Sequence, residues 1–183
     1  MTGGHTLLFM FVLSVLWPLN TAPEAGDPYI IINKSSNTLA YIHEGRIVEE
    51  YPVATGKKEE LTPEGEFTVI VKAVRPYYRK KDIKGGSPDN PLGSRWIGFD
   101  ADNTNGRVYG IHGTNRPSSI GGYVSNGCVR MRNQDVNELF EKVENGVDVW
   151  IESSTQSMEA LAEKRGVLYD RKPFYLQEDL KKL

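Results

Sequence analysis

A single cysteine, Cys128, is all the thiol this 183-residue chain contains, and that scarcity excludes a disulfide within it. Three histidines and one cysteine, without paired ligand spacing, offer no zinc-type site, so no metal or other cofactor is expected. Net charge is small as well. The 22 basic and 24 acidic side chains leave −2 at pH 7, without the basic excess that nucleic-acid binding requires. Internal repeats and a second binding module are lacking too. The apolar run from Leu7 to Trp17 is shorter than the ~20 residues of a membrane-spanning helix.

That run has the length of a signal-peptide core. Ala22 and Ala25 are small residues suited to cleavage, although no Lys or Arg precedes the run and Pro23 sits awkwardly between them. Residues 1–26 are therefore expected to direct export, either as a cleaved signal peptide or as a retained N-terminal anchor. The mature protein then lies outside the cytoplasm, in the periplasm or cell wall. Thiols there are usually paired, so an unpaired Cys128 is either intermolecular or reactive.

Eighteen glycines and ten prolines fit a chain with many turns. Short β-branched or alternating runs at Tyr29–Asn33, Thr38–Ile42, Arg46–Val53, Phe67–Val74, Trp96–Asp100, Arg107–Ile111 and Val147–Glu152 predict strands. His43-Glu44-Gly45 reads as a hairpin turn that leaves His43 exposed. Helical spacing is present in Gln134–Val143, with Val136, Leu139, Phe140 and Val143 on one face. Ser157–Arg165 has a second helical pattern, with Met158, Leu161 and Ala162 inward and Gly166 ending it. Beyond it, Tyr169–Leu183 is open to two readings, a strap on the domain or a surface contact. The fold class is mostly β, a sandwich or barrel.

On spacing alone, Cys128 is either a small buried hydrophobe or a nucleophile with His112, sixteen positions earlier, as its base. Gly127 before it permits a tight turn. The wider sequence is more specific. Tyr109-Gly110-Ile111-His112-Gly113-Thr114, followed by Ser125-Asn126-Gly127-Cys128-Val129-Arg130-Met131, closely resembles the signature of the YkuD-type L,D-transpeptidases, bacterial cysteine enzymes that cross-link peptidoglycan. Tyr51-Pro52-Val53-Ala54-Thr55-Gly56, Thr62-Pro63-Glu64-Gly65-Glu66-Phe67 and Asn90-Pro91-Leu92-Gly93-Ser94-Arg95-Trp96 match the family in the same order. Asn126 departs from the histidine that many members carry there. The resemblance covers roughly residues 29–152 and implies a catalytic domain over 28–152, a C-terminal extension over 153–183, and a YkuD-like β-sandwich with one short helix after the catalytic motif.

It also implies acyl transfer from a peptidoglycan stem peptide, with an amine as acceptor, or water in an L,D-carboxypeptidase. Carbapenem β-lactams are then expected inhibitors. Cys128 is the expected nucleophile, and His112 its base, with a pKa near the working pH. In the family a main-chain carbonyl just after the histidine orients the ring, here that of Gly113. The amides of Gly127 and Cys128 are candidates for the oxyanion hole. Arg130 is a candidate for gripping a stem carboxylate, or else for a structural salt bridge. Asn126 and Ser125 join it as substrate-binding candidates, while Ser125 and Asn115 also suit hydrogen bonding that shapes the loop. The basic stretch Arg75–Lys81 reads as a solvated loop or, with Gly85-Gly86 as hinge, a lid. Trp96 and Phe99 are expected in the core.

Overall fold

The computed structural model describes residues 23–169; most of the expected signal segment and all of the tail after Tyr169 lie outside them. Strand β1 (Tyr29–Asn33) is buried along its whole length. Its alternating side chains serve two cores: Ile30 and Ile32 face one, Tyr29 and Ile31 the other. It pairs antiparallel with β2 (Thr38–His43), which pairs with β3 (Arg46–Pro52) at the sheet edge. Glu44 and Gly45 join these two with φ of 49° and 63°, the paired positive values of a tight hairpin turn. His43 ends β2 with its ring stacked on Tyr41.

After the two-residue strand β4 (Thr55–Gly56) comes the long β5 (Gly65–Val74), which turns the corner of the fold. Its first residues pair with the last long strand, and from Val69 onward it pairs with β6 (Arg95–Phe99) across a bulge between Val69 and Val71. A bulge bends and twists a strand, and here it carries the ladder from one half of the sheet to the other. β6 pairs with β7 (Tyr109–His112), and β7 runs parallel to the short β9 (Val129–Arg130). β8 (Tyr123–Ser125) lies beside β4. β10 (Asp148–Glu152) closes the set between β1 and β5.

The order β3-β2-β1-β10-β5-β6-β7-β9 is thus one continuous ladder. Leu39, Tyr41 and Tyr51 from one half meet Ile97, Phe99, Ile111 and Val129 from the other in a single core. The expected mostly-β sandwich is realised as one sheet curled over its own apolar face. Helix α1 (Asn133–Lys142) lays Val136 and Leu139 on that core. Strands β4, β8 and β9 are too short to show periodicity and had no sequence signal.

Helix α2 (Met158–Arg165) begins at Ser157, whose hydroxyl accepts the Ala160 amide, and ends at Gly166 with φ 70°. It lays Met158, Leu161 and Ala162 over Tyr29, Ile31, Ala40, Ile42 and Trp150. Arg165 pairs with Glu66, hydrogen-bonds the Tyr29 hydroxyl and covers the Trp150 ring. The first part of the C-terminal extension therefore belongs to the packed domain, since it covers the outer face of the sheet's central strand. Tyr169 then returns to the hairpin turn, its amide donating to the Gly45 carbonyl.

Candidate active site

Ile111 and Val129 stand opposite each other in the parallel β7–β9 pair, and so do His112 and Arg130. Ile111, Val129 and Met131 enter the core, so alternation along each strand sends Gly110, His112, Cys128 and Arg130 to the other face. Carrying the register back one residue sets Cys128 beside Gly110. His112 and Cys128 are then diagonal neighbours on adjoining strands, a relation that separates Cβ atoms by roughly 7–8 Å and lies within reach of an aromatic ring.

The imidazole is buried and tightly held. Its Nδ1 lies 2.5 Å from the Gly113 carbonyl oxygen. A carbonyl only accepts, so the neutral ring carries its proton on Nδ1 and leaves Nε2 unprotonated. Gly113 is pinned in turn. Its amide donates to the Arg95 carbonyl, and Asn133 bridges the Ser94 amide (3.1 Å) and the Thr114 carbonyl (3.1 Å) close behind it. A Cβ on Gly113 would come 2.1 Å from Asn133 Oδ1. The family-like stretch Asn90–Trp96 thus has a positional role: it backs the residue that orients the base.

Trp96 stacks on the imidazole, with ring centroids 5.5 Å apart and planes 15° from parallel. Its Nε1 donates to the Gly106 carbonyl at 2.8 Å. The indole fits because Gly98 and Gly110 lack side chains, and a Cβ at either would meet it at 2.6–2.7 Å. Trp96 is buried as expected, but it packs on the site rather than in the main core.

Burial dominates the titration of both groups. It pushes the His112 imidazole down to about 4, with the Gly113 carbonyl opposing and the Arg130 charge adding a little. It pushes the Cys128 thiol up to about 11, against the Gly110 amide and the charges of Lys80 and Arg130. The resting pair at neutral pH is therefore thiol and neutral imidazole, with the thiol donating to the Val108 carbonyl at 3.4 Å. This corrects the expectation of a histidine titrating near the working pH. Lys80 sits in the 3-10 turn Arg79–Lys81.

The loop before the cysteine departs from expectation in one respect. The Gly127 amide donates to Ser125 Oγ at 3.0 Å, so Gly127 and Cys128 are not free together as oxyanion donors. Cys128 keeps its amide. Ser125 is buried, and its hydroxyl shapes this turn, the loop-shaping role of its two expected roles. Asn126 is exposed at the loop tip, and Asn115 is exposed as well. Thr114, not Asn115, makes the local hydrogen bond, to the Arg116 amide.

Arg130 is held through its backbone, which exchanges both hydrogen bonds with Ala54 at 2.8 and 2.9 Å. Its guanidinium makes no ion pair or hydrogen bond among the described residues. The stretch Val53–Lys57 runs along the catalytic loop, bonding Gly121, Gly122, Ser125 and Arg130 in turn.

The comparisons with known proteins bear on the family and the fold. A family model described as the L,D-transpeptidase catalytic domain, YkuD, matches residues 27–151. The chain is 57% identical to YqjB of Bacillus subtilis, a protein named as an L,D-transpeptidase, over 85% of this chain and 88% of that one. It is 39% identical to YkuD of the same organism, also so named, over 70% and 71% of the two chains. Among solved structures, the E. faecium L,D-transpeptidase catalytic domain acylated by ertapenem superposes with a TM-score of 0.54 at 25% identity, covering 70% of this chain and 99% of that one. The Stackebrandtia nassauensis L,D-transpeptidase gives 0.56 at 20% identity, covering 76% and 62%. The chain belongs to the YkuD family of L,D-transpeptidase catalytic domains.

Proposed function

We propose that this protein is an exported cysteine acyltransferase that cross-links peptidoglycan, taking the acyl group from a tetrapeptide stem and passing it to an amine of a second stem. The observation that carries the reading is the pair formed by Cys128 and His112 on one face of β7 and β9, with Nδ1 committed to the Gly113 carbonyl. A neutral thiol and imidazole activate each other only when a carbonyl arrives. The sulfur attacks the carbonyl carbon as its proton passes to His112 Nε2. The tetrahedral oxyanion takes the Cys128 amide hydrogen bond. Collapse expels the terminal amine, which receives the proton from Nε2, and leaves a thioester on Cys128. The acceptor amine then attacks the thioester, His112 takes its proton, and the sulfur departs as the thiol. Arg130, without an ion-pair partner among the described residues and two residues beyond Cys128 on the same face, suits a stem carboxylate.

The apolar run Leu7–Trp17 supports export. The ertapenem adduct of the E. faecium relative supports carbapenems as covalent inhibitors here. Incubation with a disaccharide tetrapeptide, followed by mass analysis, tests the acceptor. A cross-linked dimer is the expected product. A trimmed monomer alone would mean that water is the acceptor, and an unchanged substrate would leave a non-catalytic wall-binding domain.

A further inference from the structure

Thr62 is buried, and both hydrogen-bonding roles of its hydroxyl are filled. Oγ1 accepts the Gly56 amide at 2.9 Å and donates to the Gly127 carbonyl at 3.0 Å. The loop that carries it is anchored too. The buried ammonium of Lys34 donates to the Thr62 carbonyl (3.1 Å), the Glu59 carbonyl (2.7 Å) and the Glu64 carboxylate (2.9 Å). On the other side of Thr62, the Leu61 carbonyl sits so close that a Cβ on Gly127 would come 2.7 Å from it. The residue before the nucleophile is thus gripped by one loop at two points.

The peptide group that presents the Gly127 carbonyl carries the Cys128 amide at its other end. This peptide is trans, so its C=O and N–H point in opposite directions. We infer that Thr62 is a positioning residue for the oxyanion hole: by holding the Gly127 oxygen against the 57–62 loop, it aims the Cys128 N–H away from that loop, to the side where the acyl oxygen gains charge. Hydrogen bonds in series polarise one another, so the Thr62 hydroxyl also makes that N–H a better donor. The inference rests on the cysteine acyl-transfer reading. With the Gly127 amide tied to Ser125, the Cys128 amide is the donor whose aim matters.

Two reactions of the same sulfur separate this role from a merely structural one. Acylation by ertapenem adds sulfur to the β-lactam carbonyl carbon and moves the carbonyl pair onto oxygen, which needs the aimed amide; collapse then breaks the lactam C–N bond, and the freed nitrogen takes the proton that the thiol gave to His112. Alkylation by iodoacetamide forms a sulfur–carbon bond at a saturated carbon and expels iodide, with no oxyanion. Both rates, and the melting temperature, are to be measured on wild type, Thr62→Val and Thr62→Ser by intact-protein mass spectrometry. Thr62→Val is expected to slow acylation by roughly 10- to 100-fold, somewhat less than outright loss of a donor, with alkylation nearly unchanged and Thr62→Ser close to wild type. If Thr62→Val fails to fold, Thr62→Ala provides the same comparison. Unchanged acylation, or an equal fall in both reactions, would overturn the role. A wild type that iodoacetamide alkylates but ertapenem never acylates would overturn the acyl-transfer reading and this inference with it.

Discussion

The Trp96 indole lies nearly parallel to the His112 imidazole, 5.5 Å away between ring centroids. The imidazole's proton affinity is depressed chiefly by burial, and the stacked indole covers one face of the ring. It also blocks the ring from swinging off the Gly113 carbonyl. Trp96→Leu is expected to cost about 2–4 kcal/mol of stability through lost packing, read by denaturant titration. The same variant should slow acylation of Cys128 and move the His112 titration upward toward its ordinary value, as followed by NMR of the imidazole. An unmoved titration would mean that Trp96 does not provide the burial.

The pH dependence follows from the two shifts. With the thiol near 11, iodoacetamide alkylation, which needs the thiolate, should rise about tenfold per pH unit from pH 6 to 9 without a plateau. An early plateau would instead indicate a preformed thiolate–imidazolium pair. The imidazole near 4 sets the sign for stability. The unfolded chain binds a proton below ~6.5 and the folded chain resists it, so stability contributed by neutral His112 is present above that value and is lost as pH falls toward 4. Melting temperatures from pH 4 to 7 should show this slope, reduced in His112→Gln.

Gly113→Ala introduces a Cβ 2.1 Å from Asn133 Oδ1 and 3.1 Å from the Ser94 amide nitrogen. The carbonyl that orients His112 must then shift, and kcat/KM should fall by about 100-fold, the scale of a misplaced general base. Removing the obstacle in the double variant Gly113→Ala/Asn133→Ala should recover part of the loss, a coupling that a double-mutant cycle measures. Strict additivity would show that the contact is not the cause.

Arg130→Lys keeps a charge but loses the planar fork. If the guanidinium grips a stem carboxylate, kcat/KM for the peptide should drop by about 10-fold, the scale of one charged hydrogen bond, with melting temperature and iodoacetamide alkylation nearly constant. Loss of stability with a parallel fall in every activity would remove Arg130 from substrate binding.

Much of this was legible in the sequence, and what was not has physical causes. The spacing of His112, Gly127 and Cys128 within matching motifs announces the chemistry because those residues lie on or beside two adjoining strands. The long alternating runs announce their strands for a similar local reason. Thr62 gave no such signal, since its partners Gly56 and Gly127 meet it only through the fold. The depressed imidazole was equally out of reach: its main cause is burial, which only the assembled fold creates. Ser125 suited either a substrate contact or a loop-shaping hydrogen bond from its place beside the cysteine, and in the fold its hydroxyl accepts the Gly127 amide.

The central claim is an acyl group carried on Cys128, and the most direct test is to catch it. Wild-type protein mixed with tetrapeptide stem, quenched in acid within seconds and digested, should yield the Cys128-containing peptide heavier by the tripeptide acyl group. The added mass should vanish on treatment with hydroxylamine, as a thioester requires, and be missing from Cys128→Ala, which should also make no product. Product formed at a similar rate by Cys128→Ala, or an acyl group found on another residue, would contradict the account.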